Sequence, residues 1–235
     1  MTRQKSRILA AALVLIAAWL GPSSRSDADD TPDNALRLGL YDVFYHASAG
    51  DISGPFVPAG LNITVKDVQT LYVGYIRRLA SQWEVELALG LPPTTNTYGR
   101  GPATVGSVPY DGVLISSAKW FAPTVLLNYK LLDETYPVRP YIGAGINYVY
   151  FYDRQSTAGG NAVGGGPTSI SLPSSIGPAA TVGVGWQLAH HCTINASYSF
   201  SQVKTRLNAD TDGIIRTTHV SFGPEALIVA LGFQF

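Results

Sequence analysis

The sequence predicts an all-β chain: an eight-stranded antiparallel transmembrane β-barrel. Three observations carry this. Eight segments of roughly ten residues alternate apolar with small or polar side chains, the mark of strands that face lipid on one side and a lumen on the other. The connections between them alternate short and long, as periplasmic turns and outer loops do. Only 14% of the 235 residues are charged while 46% are hydrophobic, against about 25% charged in soluble domains. Sixteen basic and sixteen acidic side chains balance, which argues against the basic patch of a nucleic-acid binder. The single cysteine, Cys192, excludes an internal disulfide framework.

The elements follow in order. Residues 1–28 read as a cleaved signal peptide and residues 29–235 as the barrel domain. Arg3, Lys5 and Arg7 precede a 13-residue apolar run, Ile8 to Leu20, too short for a spanning helix of about 20 residues. Ser26 and Ala28 supply small residues at a cleavage spacing. Removal takes four of the basic and one of the acidic residues and leaves a net charge of −3.

Leu36, Leu38 and Leu40 alternate with Arg37, Gly39 and Tyr41 in the first strand. The second alternates Leu71, Val73 and Tyr75 with Tyr72, Gly74 and Ile76. The third is the clearest. Trp83, Val85, Leu87, Leu89 and Leu91 share one parity; Glu84, Glu86, Ala88 and Gly90 share the other. Successive strand side chains point to opposite faces, so the apolar parity is read as lipid-facing. Val125, Leu127 and Tyr129 continue the pattern against Leu126, Asn128 and Lys130, and Ile142, Ala144, Ile146 and Tyr148 against Tyr141, Gly143, Gly145 and Asn147. The last three strands alternate from Thr181 to Leu188, from Thr193 to Ser201 and from Ala226 to Phe235. Short connections fall at residues 79–82, 132–137 and 189–191, and long ones at 48–66, 92–119, 153–175 and 205–217. Tyr75, Trp83, Tyr129, Tyr148, Trp186, Phe233 and Phe235 gather at strand ends, as an interfacial girdle does. A soluble barrel would place charge on the outer parity, and here that parity is apolar.

These residues resemble a known family. RPYIGAGINYVYFY at residues 139–152 looks like the fifth-strand signature of the outer membrane protein W (OmpW) family. WEVELALGLP at 83–92, FAPTVLLNYKL at 121–131, AATVGVGWQL at 179–188 and the ending ALGFQF are similar to other strands of that family. The resemblance implies an eight-stranded barrel in the bacterial outer membrane, with a narrow hydrophobic interior that passes small apolar molecules. The Pro- and Gly-rich stretches 92–109 and 158–173 depart from the pattern, as does Glu225, which falls on the apolar parity.

Eight strands enclose space for side chains or one small ligand, so an open water channel is excluded. At the inward parity, Arg37, Glu84, Glu86, Asn128, Lys130, Arg139 and Gln234 fall near the periplasmic end. They are expected to pair into a polar floor, because an unpartnered buried charge is costly. Such a floor also serves as a structural core. Above it the inward set is apolar: Tyr41, Val43, Tyr72, Leu126, Val149, Phe151 and Ile228. This arrangement suggests entry of an apolar solute from outside and lateral exit into the membrane. Pro123, Pro178 and Pro224 are window candidates, since proline removes a ladder donor; they could equally mark where strands leave the membrane. Small inward glycines, Gly143 and Gly145, are expected to leave lumen space. Residues 159–167 read as a Gly-rich mobile loop.

Other constellations are weaker. His190 and His191 lack a further ligand at metal spacing. His46, Ser48 and Asp51 supply residue types of a hydrolase within one loop. No enzyme activity, cofactor or metal is expected. The partners expected are outer-membrane lipid and small hydrophobic solutes, with a homo-oligomer left open. The rival function is a non-conducting structural or adhesive barrel acting through its long outer loops.

Overall fold

A computed structural model describes residues 32–45, 48–105 and 108–235. The expected signal segment and His46 lie outside the described residues.

Eight strands form the barrel: β1 (Asn34–Tyr45), β2 (Val68–Arg78), β3 (Trp83–Gly90), β4 (Thr124–Lys130), β5 (Val138–Ser156), β6 (Ser175–Ala189), β7 (Cys192–Ser201) and β8 (Pro224–Gln234). Each pairs antiparallel with its neighbours, and β8 pairs β1 from Tyr45↔Pro224 to Ala35↔Gln234, which closes the ring. These are the eight strands the alternation predicts. The parity holds as well. Leu38, Leu40, Val125, Ile142, Val182 and Leu231 are exposed on the outside, while Arg37, Glu84, Glu86 and Asn128 are buried within. Leu231 is 64% exposed and Ala230 beside it 3%, an outward and an inward position on one strand. Water would not leave such a row of leucine and valine uncovered; lipid does.

The long connections are not the irregular loops expected from sequence. Strands at Asn62–Val65, Thr94–Arg100 and Leu114–Phe121 stack beside the upper half of β5. A second outer sheet joins Thr168–Ser171, Val203–Thr211, Ile214–Phe222 and Ser48–Ala49. The hairpin between the two long members turns at Asp212 (φ 49°) and Gly213 (φ 87°), the Asp-Gly pair that a two-residue turn with both φ positive prefers. The expected mobile stretch 159–167 contains a short helix, α1 (Ala158–Gly164). Thr157 caps it by accepting from the Gly160 amide at 3.0 Å, and Gly165 ends it in the left-handed region.

Gly143 and Gly145 do not leave the lumen space expected of them. A Cβ on Gly145 would lie 1.8 Å from the Val125 carbonyl oxygen, and one on Gly143 would lie 2.0 Å from Asn128 Oδ1. Gly145 is there because the wall of β4 approaches too closely for any side chain.

Candidate functional site: a lumen with a charged floor and an apolar upper chamber

The floor is built from five consecutive strands, β1 to β5. Arg37 on β1 donates to Glu86 at 3.1 Å and Glu84 at 3.2 Å, both on β3. It reaches past β2, where its register partner is Gly74; on β8 its register partner is Gly232. The Tyr72 side chain covers Gly74, and Thr193 packs over Gly232 with the Arg37 stem 3.4 Å from where a Cβ would stand. Lys130 on β4 lies 3.1 Å from the other oxygen of Glu84. Asn128 donates to Glu86 at 2.8 Å, and the Tyr72 hydroxyl donates to it as well. Tyr141 faces both cations, its ring 5.8 Å from the Arg37 guanidinium and 6.0 Å from Lys130. Two carboxylates and two cations thus meet as partners, which is the condition for tolerating buried charge; the Asn128 Oδ1 beside them is buried without a hydrogen-bond partner.

Arg139 and Gln234 lie at the same end but outside this network. Arg139 donates to the carbonyls of Leu132 and Ser81, and Gln234 accepts from Gln187. Tyr72 belongs to the floor through its hydroxyl and to the apolar wall through its ring, which meets Tyr41 edge-on at 6.4 Å. Tyr141 is a floor residue that residue-type reasoning passed over, although its inward parity was readable.

Two cavities stand above the floor. The lower, with about 510 Å³ including its openings, rests on Glu86, Tyr72, Leu126 and Ile228. The upper, with about 640 Å³ including its mouth, is walled by Tyr41, Val43, Val149 and Phe151 from the barrel. The outer sheets complete it with Val65, Trp120, Leu172, Val203 and Phe222. Val65 and Leu172 lie in the connections read as loops, and Trp120, Val203 and Phe222 just beyond their bounds, outside the eight alternating segments. Tyr41, Ser201 and Pro224 line both chambers.

The three prolines differ in their surroundings. Pro178 opposes Ile146 within the β5–β6 ladder, and its carbonyl accepts from the Gln202 amide at 3.1 Å. Pro224 opens β8 opposite Tyr45. At Pro123 the wall itself changes. The β3–β4 ladder ends at Ala88↔Thr124 and pairing resumes at Thr94↔Lys119, shifted by one residue. Residues 89–93 and 120–123 face each other across this interval without paired partners, and Pro92, Pro93 and Pro123 supply no amide hydrogens. Leu89 and Thr124 line the lower cavity here, and Trp120 and Ala122 line the upper.

His190 and His191 occupy the β6–β7 turn with rings 6.5 Å apart. Among the described residues no group of three or more His, Cys, Asp or Glu side chains is placed to hold a metal ion. Cys192 is exposed.

Comparison with known proteins agrees with this architecture. The chain is 29% identical over 203 residues to outer membrane protein W of Vibrio cholerae, covering 86% of this chain and 88% of that one. It is 36% identical over 119 residues to the dibenzothiophene metabolism operon protein DoxH of a Pseudomonas species, covering 50% of this chain and 52% of DoxH. Among solved structures, the outer membrane protein OprG from Pseudomonas aeruginosa superposes with a TM-score of 0.77 at 24% identity, over 87% of this chain and 96% of OprG. The outer membrane protein AlkL does so at 0.60 and 17% identity, over 92% and 97%. The model of the OmpW family matches residues 33–235, and this chain, an eight-stranded barrel of the bacterial outer membrane, belongs to that family.

Proposed function

We propose that this barrel is a passive conduit for small apolar molecules. They enter the upper cavity from outside and leave sideways into the membrane at the unpaired interval beside Pro123. The observation that carries the reading is an apolar chamber closed below by a satisfied ion-pair floor and bordered by a gap in the strand ladder. A solute cannot continue downward without separating Arg37 from Glu84 and Glu86, a cost of several kcal/mol. Sideways, the two facing segments 89–93 and 120–123 carry no ladder pairs to each other, so no strand pairing has to be broken there. The relative DoxH is named for an operon of dibenzothiophene metabolism, which is consistent with an apolar solute.

The test is uptake of a labelled medium-chain hydrocarbon by cells lacking their own homologue, with a polar sugar as control. Wild-type chain should speed hydrocarbon entry alone. Val149→Trp, which fills the upper chamber, should remove the gain. So should a short bis-thiol linker joining Leu91→Cys to Phe121→Cys in a Cys192→Ser background. Undiminished uptake through the linked wall would sink lateral release. Undiminished uptake past Trp at position 149 would sink the conduit.

A further inference from the structure

We infer that the lumen carries a polar subsite at Asn147, and that the conduit favours apolar solutes bearing one hydrogen-bond donor, such as a phenol or an alcohol, over plain hydrocarbons. This rests on the conduit reading and specifies its solute.

Asn147 is an inward residue of β5, only 4% exposed. It opposes Thr124 on β4 and Gly177 on β6. Its amide nitrogen donates to Thr124 Oγ1 at 2.6 Å, and that hydroxyl in turn lies 3.4 Å from the Ala122 carbonyl. The chain of donors therefore runs away from the amide oxygen. Asn147 Oδ1 is buried and has no hydrogen-bond partner. An unmet buried acceptor is costly, so a donor that reaches it gains what the folded chain leaves unfilled.

The position makes this acceptor relevant to passage. Asn147 lines the upper cavity, and its partner Thr124 lines the lower. The pair stands at the boundary between the chambers. Thr124 directly follows Pro123, so the pair also borders the proposed exit. The chamber that Asn147 lines is also lined by Val149, Phe151, Trp120 and Ala122, an apolar setting for a ring or short chain. One acceptor in such a wall selects for one donor on the solute, because a mismatched partner leaves a polar group unpaired. Among the described residues no charged group lines the upper chamber, and a neutral solute fits it.

The probes are p-cresol and p-xylene, which differ by a hydroxyl in place of a methyl, with 4-methylanisole as a polar solute that cannot donate. The rate that counts is the uptake added by the chain over cells without it. Wild type should favour p-cresol over both others. Asn147→Leu should lower the p-cresol to p-xylene ratio, each rate taken in the same variant, by about threefold to tenfold. Asn147→Thr, which restores a hydroxyl, should recover part of the preference. An unchanged ratio in Asn147→Leu overturns the subsite while leaving the conduit standing.

A second readout needs no transport. In protein reconstituted in lipid discs, the Asn147 side-chain amide resonance, assigned by its loss in Asn147→Leu, should shift on adding p-cresol and stay in place with p-xylene. Absence of any shift overturns the subsite. A shift without protein-dependent uptake supports the subsite and rejects the conduit.

Discussion

Replacing Arg37 with methionine tests the floor most directly. The change keeps an unbranched apolar stem and removes the guanidinium. Glu84 retains Lys130 at 3.1 Å. Glu86 retains Asn128 and Tyr72 as hydrogen-bond donors but loses its cation. Two buried carboxylates then share one positive charge, at 6% and 4% exposure. Leaving a buried charge uncompensated costs about 3–5 kcal/mol. Equilibrium urea unfolding in lipid vesicles should therefore show Arg37→Met destabilised by about that amount. Adding Glu86→Gln removes the orphaned charge and keeps a group able to pair with Asn128, so the double variant should regain most of the loss. That non-additivity is the signature of a direct pair. An Arg37→Met penalty under about 1 kcal/mol, with additive single changes, would mean that water reaches the floor, and the closed base of the lumen would have to be abandoned.

Three further outcomes follow from the wall. Gly145→Ala should cost about 3 kcal/mol or more or prevent insertion, because its Cβ would sit 1.8 Å from backbone; heat-modifiable migration in gels reads the folded fraction. Leu231→Arg, at an outward position 64% exposed, should cost about 2–4 kcal/mol if it lies near the bilayer midplane, and a loss near zero in the same urea assay would remove the lipid-facing assignment of that parity. Thr157→Ala should loosen α1 by about 1 kcal/mol through loss of its cap on Gly160, seen as faster amide exchange over residues 158–164 with the barrel core unchanged.

The barrel was legible because lipid enforces one rule along every outward position. A leucine at 36, 38 or 40 has no alternative face once Arg37 must be inside, so parity alone orders the strand. The outer hairpins answer to a looser rule. Water accepts polar residues on their outer face, and sequences such as Thr94–Arg100 or Val203–Thr211 show little contrast between parities. Thr, Tyr and Val there favour strands, and Asp212–Gly213 gave a usable turn signal that composition alone hid. The walls these hairpins contribute to the upper chamber were therefore not readable from the barrel pattern.

The floor shows a different boundary. Its residue types were legible, but its pairing was not. Arg37 meets Glu84 and Glu86 across an intervening strand, a contact no adjacent-strand rule supplies. The glycines at its own level, Gly74 and Gly232, admit the Tyr72 and Thr193 side chains close to the wall. The same residue type has a different meaning at Gly145, where it admits a neighbouring backbone and opens no space. A small inward residue becomes informative only when its register partner is known. At Gly74 and Gly232 it admits a neighbouring side chain, Tyr72 or Thr193. Opposite a tightly coiled strand it draws the wall inward. That distinction places the free volume of this lumen above Leu126 and Tyr72, beneath the outer sheets and beside the broken ladder at Pro123.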